Sequence, residues 1–313
     1  MRLIKEKTSI DFLSRGRRLA TTALSILAII VSLSSITLRG LEFGIDFTGG
    51  VLLEVAYPQA ADLERIRRVL SDAGFTDVQV QRFGTETDVL VRLPPQSGSD
   101  ADAIRESLST TLAADEPGVV LRRVEIVGPQ VGKELQEQGG LATIFVLLLI
   151  FAYVMMRFQW KFAAGAVAAL AHDVILTVGF FSIFRLQFDL TVLAAVLAVI
   201  GYSLNDTVVA FDRIRENFVK FRGSTPEESM NASINEMLAR TVITGVTTLL
   251  VLSALFSFGG EAVAPFSIAL IVGVIVGTYS SIYTASATAL YLDVSAQDLL
   301  PPAEDAEFID DLP

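Results

Sequence analysis

The chain has 313 residues, no cysteine and one histidine. The missing thiols exclude disulfides and every soft-metal or haem site that needs a thiolate. A lone histidine leaves too few ligands for structural zinc, so no metal site is expected. No HExxH, GxSxG or phosphate-loop pattern occurs, and there is no cysteine nucleophile. Enzyme chemistry and a bound cofactor are therefore not expected. Basic excess is also lacking: 24 Lys and Arg stand against 35 Asp and Glu, for a net charge of −11. Nucleic acid is not an expected partner of such a surface.

Apolar residues are abundant and come in blocks. They make up 52% of the chain, and the mean hydropathy is +0.55. Six stretches, 19–38, 140–158, 162–184, 189–211, 241–258 and 265–291, are near or above the length that crosses a bilayer. The first follows a basic run, as a signal peptide would, but LRGLEFGIDF after it offers no small-x-small cleavage pattern, so it reads as a retained anchor. Lys and Arg cluster before span one, between spans two and three (Arg157, Lys161) and between spans four and five (Arg213, Arg215, Lys220, Arg222). The positive-inside rule then puts both termini in the cytoplasm and 39–139 outside. Residues 292–313 form an acidic cytoplasmic tail with seven carboxylates and no base.

The outer segment alternates between strand and helix patterns. Strands are expected at 51–57, 76–83, 87–93 and 119–128, and amphipathic helices at 61–74 and 100–113. The order β-α-β-β-α-β predicts a ferredoxin-like α+β domain, a scaffold that names no function by itself. The fold class is thus an α-helical polytopic membrane protein of six spans with this domain between spans one and two. In the loop 212–239, Thr225-Pro226-Glu227-Glu228 is a helix start with a capping box. That helix is expected to run to about Leu238, along the inner membrane surface or under the bundle. Gly273 and Gly277 in span six have the spacing of closely packed membrane helices.

Polar groups inside the spans are the functional candidates. Asp206, beside Asn205, interrupts TVLAAVLAVIGYSLNDTVVAF (191–211). A carboxylate there costs several kcal/mol on insertion scales and so faces a partner or a water-filled path. Span three carries His172 and Asp173. His172 can relay protons or, neutral, can orient Asp173. Arg240, Thr244, Thr247 and Thr248 share a face of span five, where the hydroxyls can carry hydrogen bonds or simply bond their own helix. An Asp206–Arg240 pair made and broken by protonation would work as a motor. One charge crossing about 100 mV releases about 2.3 kcal/mol.

Several runs resemble a known family. LEFGIDFTGGVLLEV (41–55) is similar to the signature of the SecD/SecF family of the RND-like superfamily. VGPQVGKEL (127–135), ALAHDV (169–174), GYSLNDTVVAFDRIREN (201–217), FRGSTPEE (221–228) and NASINEMLART (231–241) resemble its SecF branch rather than SecD. The resemblance implies a bacterial inner (plasma) membrane protein with half of an RND-like bundle, in obligate complex with SecD. Such a complex assists the SecYEG channel, with YajC and the YidC insertase as further partners. It uses the proton-motive force to draw unfolded preprotein out on the periplasmic side. On this resemblance Asp206 and Arg240 take part in proton passage, 39–139 is periplasmic, and Gly44, Asp46, Gly49 and Gly50 belong to the signature. Asp46 can be a fold-defining residue at the neck of the outer domain. Two rival readings are an RND-like half transporter for a lipid or small molecule, and a passive subunit in which Asp206 and Arg240 are glue.

Overall fold

The computed structural model describes residues 9–95, 101–221 and 223–295. The acidic stretch from 296 onward, the basic residues Arg2, Lys5, Lys7 and Arg222, and the first position of the helix expected from 100 lie outside them. In chain order the elements are α1 (Arg15–Arg39), β1 (Glu42–Phe43), α2 (Ile45–Thr48), β2 (Gly50–Ala56), α3 (Leu63–Asp72), β3 (Gln79–Phe83), β4 (Thr85–Leu93), α4 (Ala101–Asp115) and β5 (Val120–Val127). The remaining helical part runs α5 (Pro129–Arg157), α6 (Trp160–Phe184), β6 (Gln187–Phe188), α7 (Leu190–Lys220), α8 (Pro226–Phe258), α9 (Ala264–Ile282) and α10 (Thr284–Tyr291).

Six stretches, α1, α5, α6, α7, α8 and α9–α10 together, are long and apolar enough to cross a membrane. Their outer faces keep large apolar side chains exposed, among them Leu27, Leu38, Leu148, Leu250 and Val251. A surface of this kind is stable against lipid and costly against water. The chain is a multi-pass helical membrane protein. Close approach between spans is made by small residues. A Cβ on Gly273 would overlap Val199 of α7, one on Gly179 would overlap Ser32 of α1, and one on Gly165 would overlap the Ala285 carbonyl of α10. The Gly273–Gly277 spacing is thus the seam between α9 and α7.

The 33-residue α8 alters the expected layout. The capping box forms: Thr225 Oγ1 accepts from Glu228 N–H at 3.2 Å, and Glu228 Oε2 accepts from Thr225 N–H at 2.9 Å. The helix it starts does not end near Leu238 but continues without a break into the span. No residue there is helix-breaking, and Met230 and Ile234 are buried against Phe12, Leu13, Phe162 and Phe218. On the other side α7 runs on to Lys220, so the connection between the two helices is a few residues long. The sixth span, expected as one helix, breaks at Tyr283 into α9 and α10.

Between α1 and α5 lies an antiparallel sheet in the order β3-β4-β2-β5. Alternate residues of its strands (Val51, Leu53, Val55, Val89, Val91) pack against Ile66 and Leu70 of α3 and Leu108 and Leu112 of α4. The period-two pattern puts these on one face and leaves Leu52, Glu54, Leu90 and Arg92 on the other. Helix α3 is capped by Asp62, which accepts from Glu64 and Arg65 N–H.

Candidate functional site

Helix geometry puts successive side chains about 100° apart, and this separates Asn205 from Asp206. Asp206 is 5% exposed, while Asn205 lies on the exposed side of α7. Asp206 Oδ2 is buried and has no hydrogen-bond partner among the described residues. Arg240 acts on Asp206 electrostatically without a direct ion pair among the described residues, and Arg240 itself is exposed on α8. Thr244 Oγ1 donates to the Arg240 carbonyl at 3.0 Å, and Thr247 Oγ1 to the Ile243 carbonyl at 2.8 Å. These hydroxyls are spent on their own helix, as Ser and Thr are when no other acceptor is near.

A second centre is built around Asp173, which is fully buried. Its Oδ1 sits 3.0 Å from His172 Nδ1. Its Oδ2 accepts from Ser203 Oγ at 2.6 Å and Ser280 Oγ at 2.8 Å. One carboxylate therefore ties α6, α7 and α9 together. A buried charge needs such a shell of donors to be tolerated. His172 stacks on Tyr279, with ring centroids 5.9 Å apart, and Tyr279 in turn donates to the Thr21 carbonyl of α1 at 2.8 Å. His172 Nε2 is buried without a partner among the described residues. Next along α7, Thr207 and Ser281 share a hydrogen bond of 3.0 Å, and Ser281 Oγ reaches the Ser203 carbonyl at 3.4 Å. Asp173 is thus bonded one turn of α7 away from Asp206, through residues the sequence reading passed over. Ser203 and Thr207 are four apart on α7, and that i, i+4 spacing of small polar residues in an apolar span was the available signal.

The signature residues gather elsewhere, at the neck. β1 pairs in parallel with β6, placing Glu42 opposite Gln187 and Phe43 opposite Phe188. Gly44 N–H donates to the Phe188 carbonyl at 2.8 Å, and a Cβ on Gly44 would strike Gln187 and Asp189. Asp46 Oδ2 accepts from Leu190 N–H at 3.0 Å, in the first turn of α7. A carboxylate there satisfies an otherwise unpaired helix donor and meets the positive end of the helix dipole. Gly49 has φ of 74° and Gly50 of 126°, backbone conformations that L side chains rarely adopt. A Cβ on Gly49 would meet the Pro129 backbone, and one on Gly50 would lie 2.3 Å from the Leu93 carbonyl oxygen. The signature is a joint between outer domain and bundle, 16 residues or more along α7 from Asp206.

The comparisons with known proteins agree with this arrangement. Residues 107–295 match the model for the C-terminal part of the SecD/SecF protein export membrane proteins, and 34–61 match the SecD/SecF GG motif. The protein translocase subunit SecF of Pseudomonas aeruginosa is 48% identical over 95% of this chain and 96% of its own. That of Vibrio alginolyticus is 47% identical over 99% of both. Among solved structures, SecDF from Thermus thermophilus, described as a translocon-associated membrane protein, superposes with a TM-score of 0.84 at 35% identity, covering 93% of this chain. A second SecDF structure, in a super-membrane-facing form, gives 0.67 at 36% identity over 94% of this chain. The chain spans 40% of the length of each of those two SecDF chains. With relatedness over nearly its whole length, and with the GG motif serving as the joint between outer domain and bundle, this chain belongs to the SecD/SecF family of protein-export membrane proteins, on its SecF side.

Proposed function

We propose that this chain is the SecF subunit of a Sec protein translocase and acts with a SecD partner. The observation that carries the reading is the near-full-length identity with SecF subunits. The chain resembles 40% of a SecDF molecule, which supports a partner that supplies the rest. In this reading the pair uses the proton-motive force to promote late-stage translocation of unfolded preprotein through SecYEG and its release at the periplasmic face. YajC and the YidC insertase are further partners. The chain sits in the bacterial inner membrane with both termini cytoplasmic, as the distribution of Lys and Arg supports. Its regions are a cytoplasmic N-terminus (1–18), span one (19–38), a periplasmic ferredoxin-like domain (39–139), spans two to six (140–291) and an acidic cytoplasmic tail (292–313). It catalyses no chemical reaction.

The ion path in this proposal runs past Asp206 and Arg240, with Asn205 on the exposed face of α7, Thr244 beside Arg240, and His172–Asp173 one turn away. Among the described residues, Asp206 has a buried oxygen without a hydrogen-bond partner, and Arg240 is near without pairing to it. A permanent structural ion pair would be in contact, so this geometry favours the motor over glue. A group that can gain and lose a proton while its helices stay packed by Gly273 and Ser203 can bias two arrangements of the bundle.

The test is preprotein translocation into inverted vesicles that carry SecD, SecYEG and either the wild type or Asp206→Asn, with and without a protonophore. Co-purification with SecD monitors assembly. The expected result is an assembled Asp206→Asn complex that has lost the protonophore-sensitive part of translocation. Unchanged translocation with unchanged protonophore sensitivity would refute the motor role of Asp206.

A further inference from the structure

The helix-free face of the outer sheet is turned towards the end of the bundle, across a cleft of about 1510 Å³. Strand register puts Gln79, Arg92, Leu52 and Glu125 in one row across this face, with Gln81 and Leu90 paired in the next. The opposite wall includes Asp46 of α2, Asp189 at the start of α7, and Phe256 near the end of α8. Of these residues only Asp46 and Leu52 lie within the signature run 41–55, and none belongs to the ion path.

Arg92 is the odd member of the cleft. Its Nε and Nη2 are buried without an acceptor among the described residues, and its Nη1 reaches only Gln79 Oε1, at 3.5 Å. Asp189 and Asp46 act on it across the cleft without pairing, and burial pulls its pKa below the ordinary arginine value. Both aspartates are already engaged at α7: Asp46 accepts from Leu190 N–H, and Asp189 Oδ1 accepts from Val192 N–H and Thr191 Oγ1. Arginine carries five donors and no acceptor, and buried donors in folded proteins are nearly always matched. Among the described residues, two of the three guanidinium nitrogens of Arg92 are unmatched.

We propose that this cleft receives an extended segment of unfolded polypeptide, whose main-chain carbonyls accept from Arg92. The inference rests on the translocase reading and adds a contact site to it. Three features select the occupant. The cleft exceeds the size of an ordinary small-molecule pocket, about 300–1,000 Å³. Its lining mixes apolar side chains with charges of both signs, which suits a chain of varied sequence. The lining carries six arginines and six carboxylates, so a lipid phosphate or other polyanion meets as much repulsion as attraction. An extended chain, by contrast, offers neutral carbonyl acceptors about every 3.4 Å along its length, whatever its sequence.

The experiment places a photo-crosslinking residue at Gln81, inside the cleft, or at Arg68, on the exposed outer surface of α3. Each is made in the full chain, assembled with SecD and SecYEG in inverted vesicles, and illuminated while a preprotein is arrested in transit. The inference expects a preprotein adduct at Gln81 and none at Arg68. It also expects Arg92→Gln to lower the Gln81 yield about tenfold, the value of one charge-assisted hydrogen bond, with SecD co-purification unchanged. Adducts at Gln81 to SecD alone, or to lipid alone, overturn it, because the cleft is then a subunit or lipid contact. Equal preprotein yield from Gln81 and Arg68, or no effect of Arg92→Gln, overturns it as well. If the wild type stimulates translocation yet Gln81 captures no preprotein, the cleft inference falls and the translocase reading stands. If the wild type adds nothing to translocation, both fall.

Discussion

Replacing Asp173 by alanine removes one acceptor group from three donors at once. Ser203, Ser280 and His172 all address this carboxylate, and all are buried. Hydrogen bonds between membrane helices average about 0.6 kcal/mol and reach about 1.7 kcal/mol. The three are not equal, however. Ser280 Oγ already lies 3.2 Å from the Gly277 carbonyl and can fall back on it, so its loss is the smallest. His172 and Ser203 have no second acceptor among the described residues, and they carry most of the effect. Ser203 counts at the upper interhelical value, about 1.7 kcal/mol, and His172, beside Asp173 on α6 itself, counts as a buried donor left unpaired, about 1–3 kcal/mol, so Asp173→Ala should destabilise the bundle by about 3–5 kcal/mol. Asp173→Asn keeps one acceptor oxygen but brings an amide with donors to satisfy, and should cost less than alanine. The assay is denaturant unfolding of the purified chain in detergent micelles, as a double-mutant cycle of Asp173→Ala with Ser203→Ala. A coupling of about 1 kcal/mol is expected, with Ser280→Ala coupling more weakly. Asp173→Ala within about 0.5 kcal/mol of wild type, or additive single mutants, would refute the view that this carboxylate ties α6, α7 and α9 together.

Other substitutions test the joints and the outer domain. Asp46→Ala should leave the Leu190 N–H unpaired and destabilise the start of α7 by about 0.5–2 kcal/mol, read as faster hydrogen exchange of its first-turn amides. Gly273→Leu should overpack the α9–α7 seam by about 1–3 kcal/mol, and Val199→Ala should restore part of the loss, because Val199 is the side chain it strikes. Burial, and then Asp115 and Glu116, push the Tyr57 hydroxyl up to about 12. Its folded pKa lies above its unfolded one, so its contribution is whole below pH 10 and is lost as pH rises through about 12. Tyr57→Phe should abolish that alkaline loss without cost at neutral pH, because Tyr57 Oη is buried with no partner among the described residues. Tyrosinate absorbance and thermal stability across that range check it.

The sequence by itself determined the elements whose signal is local. Six apolar runs are visible because a span must satisfy its backbone within one helix, which demands about 20 apolar residues in a row. The strand and helix periods of the outer segment are local too, and the capping box at Thr225 is complete within four residues. Asp206 stood out because a carboxylate in an apolar run is costly wherever the run packs. Tertiary structure decided the rest, because it depends on which faces meet. It turned Asn205 outward and Asp206 inward, one residue apart. It gave Asp173 its donors from Ser203 and Ser280, 30 and 107 residues away. It set Asp46 on the first turn of α7, 144 residues further along the chain. It fused the helix after Pro226 with span five, and it buried Met230 and Ile234 of that helix in one cluster with Phe162 and Phe218. And it left Arg92, an ordinary strand residue in the sequence, half-buried on the cleft wall with Nε and Nη2 unmatched among the described residues, while the nearby Asp46 and Asp189 are already held by α7.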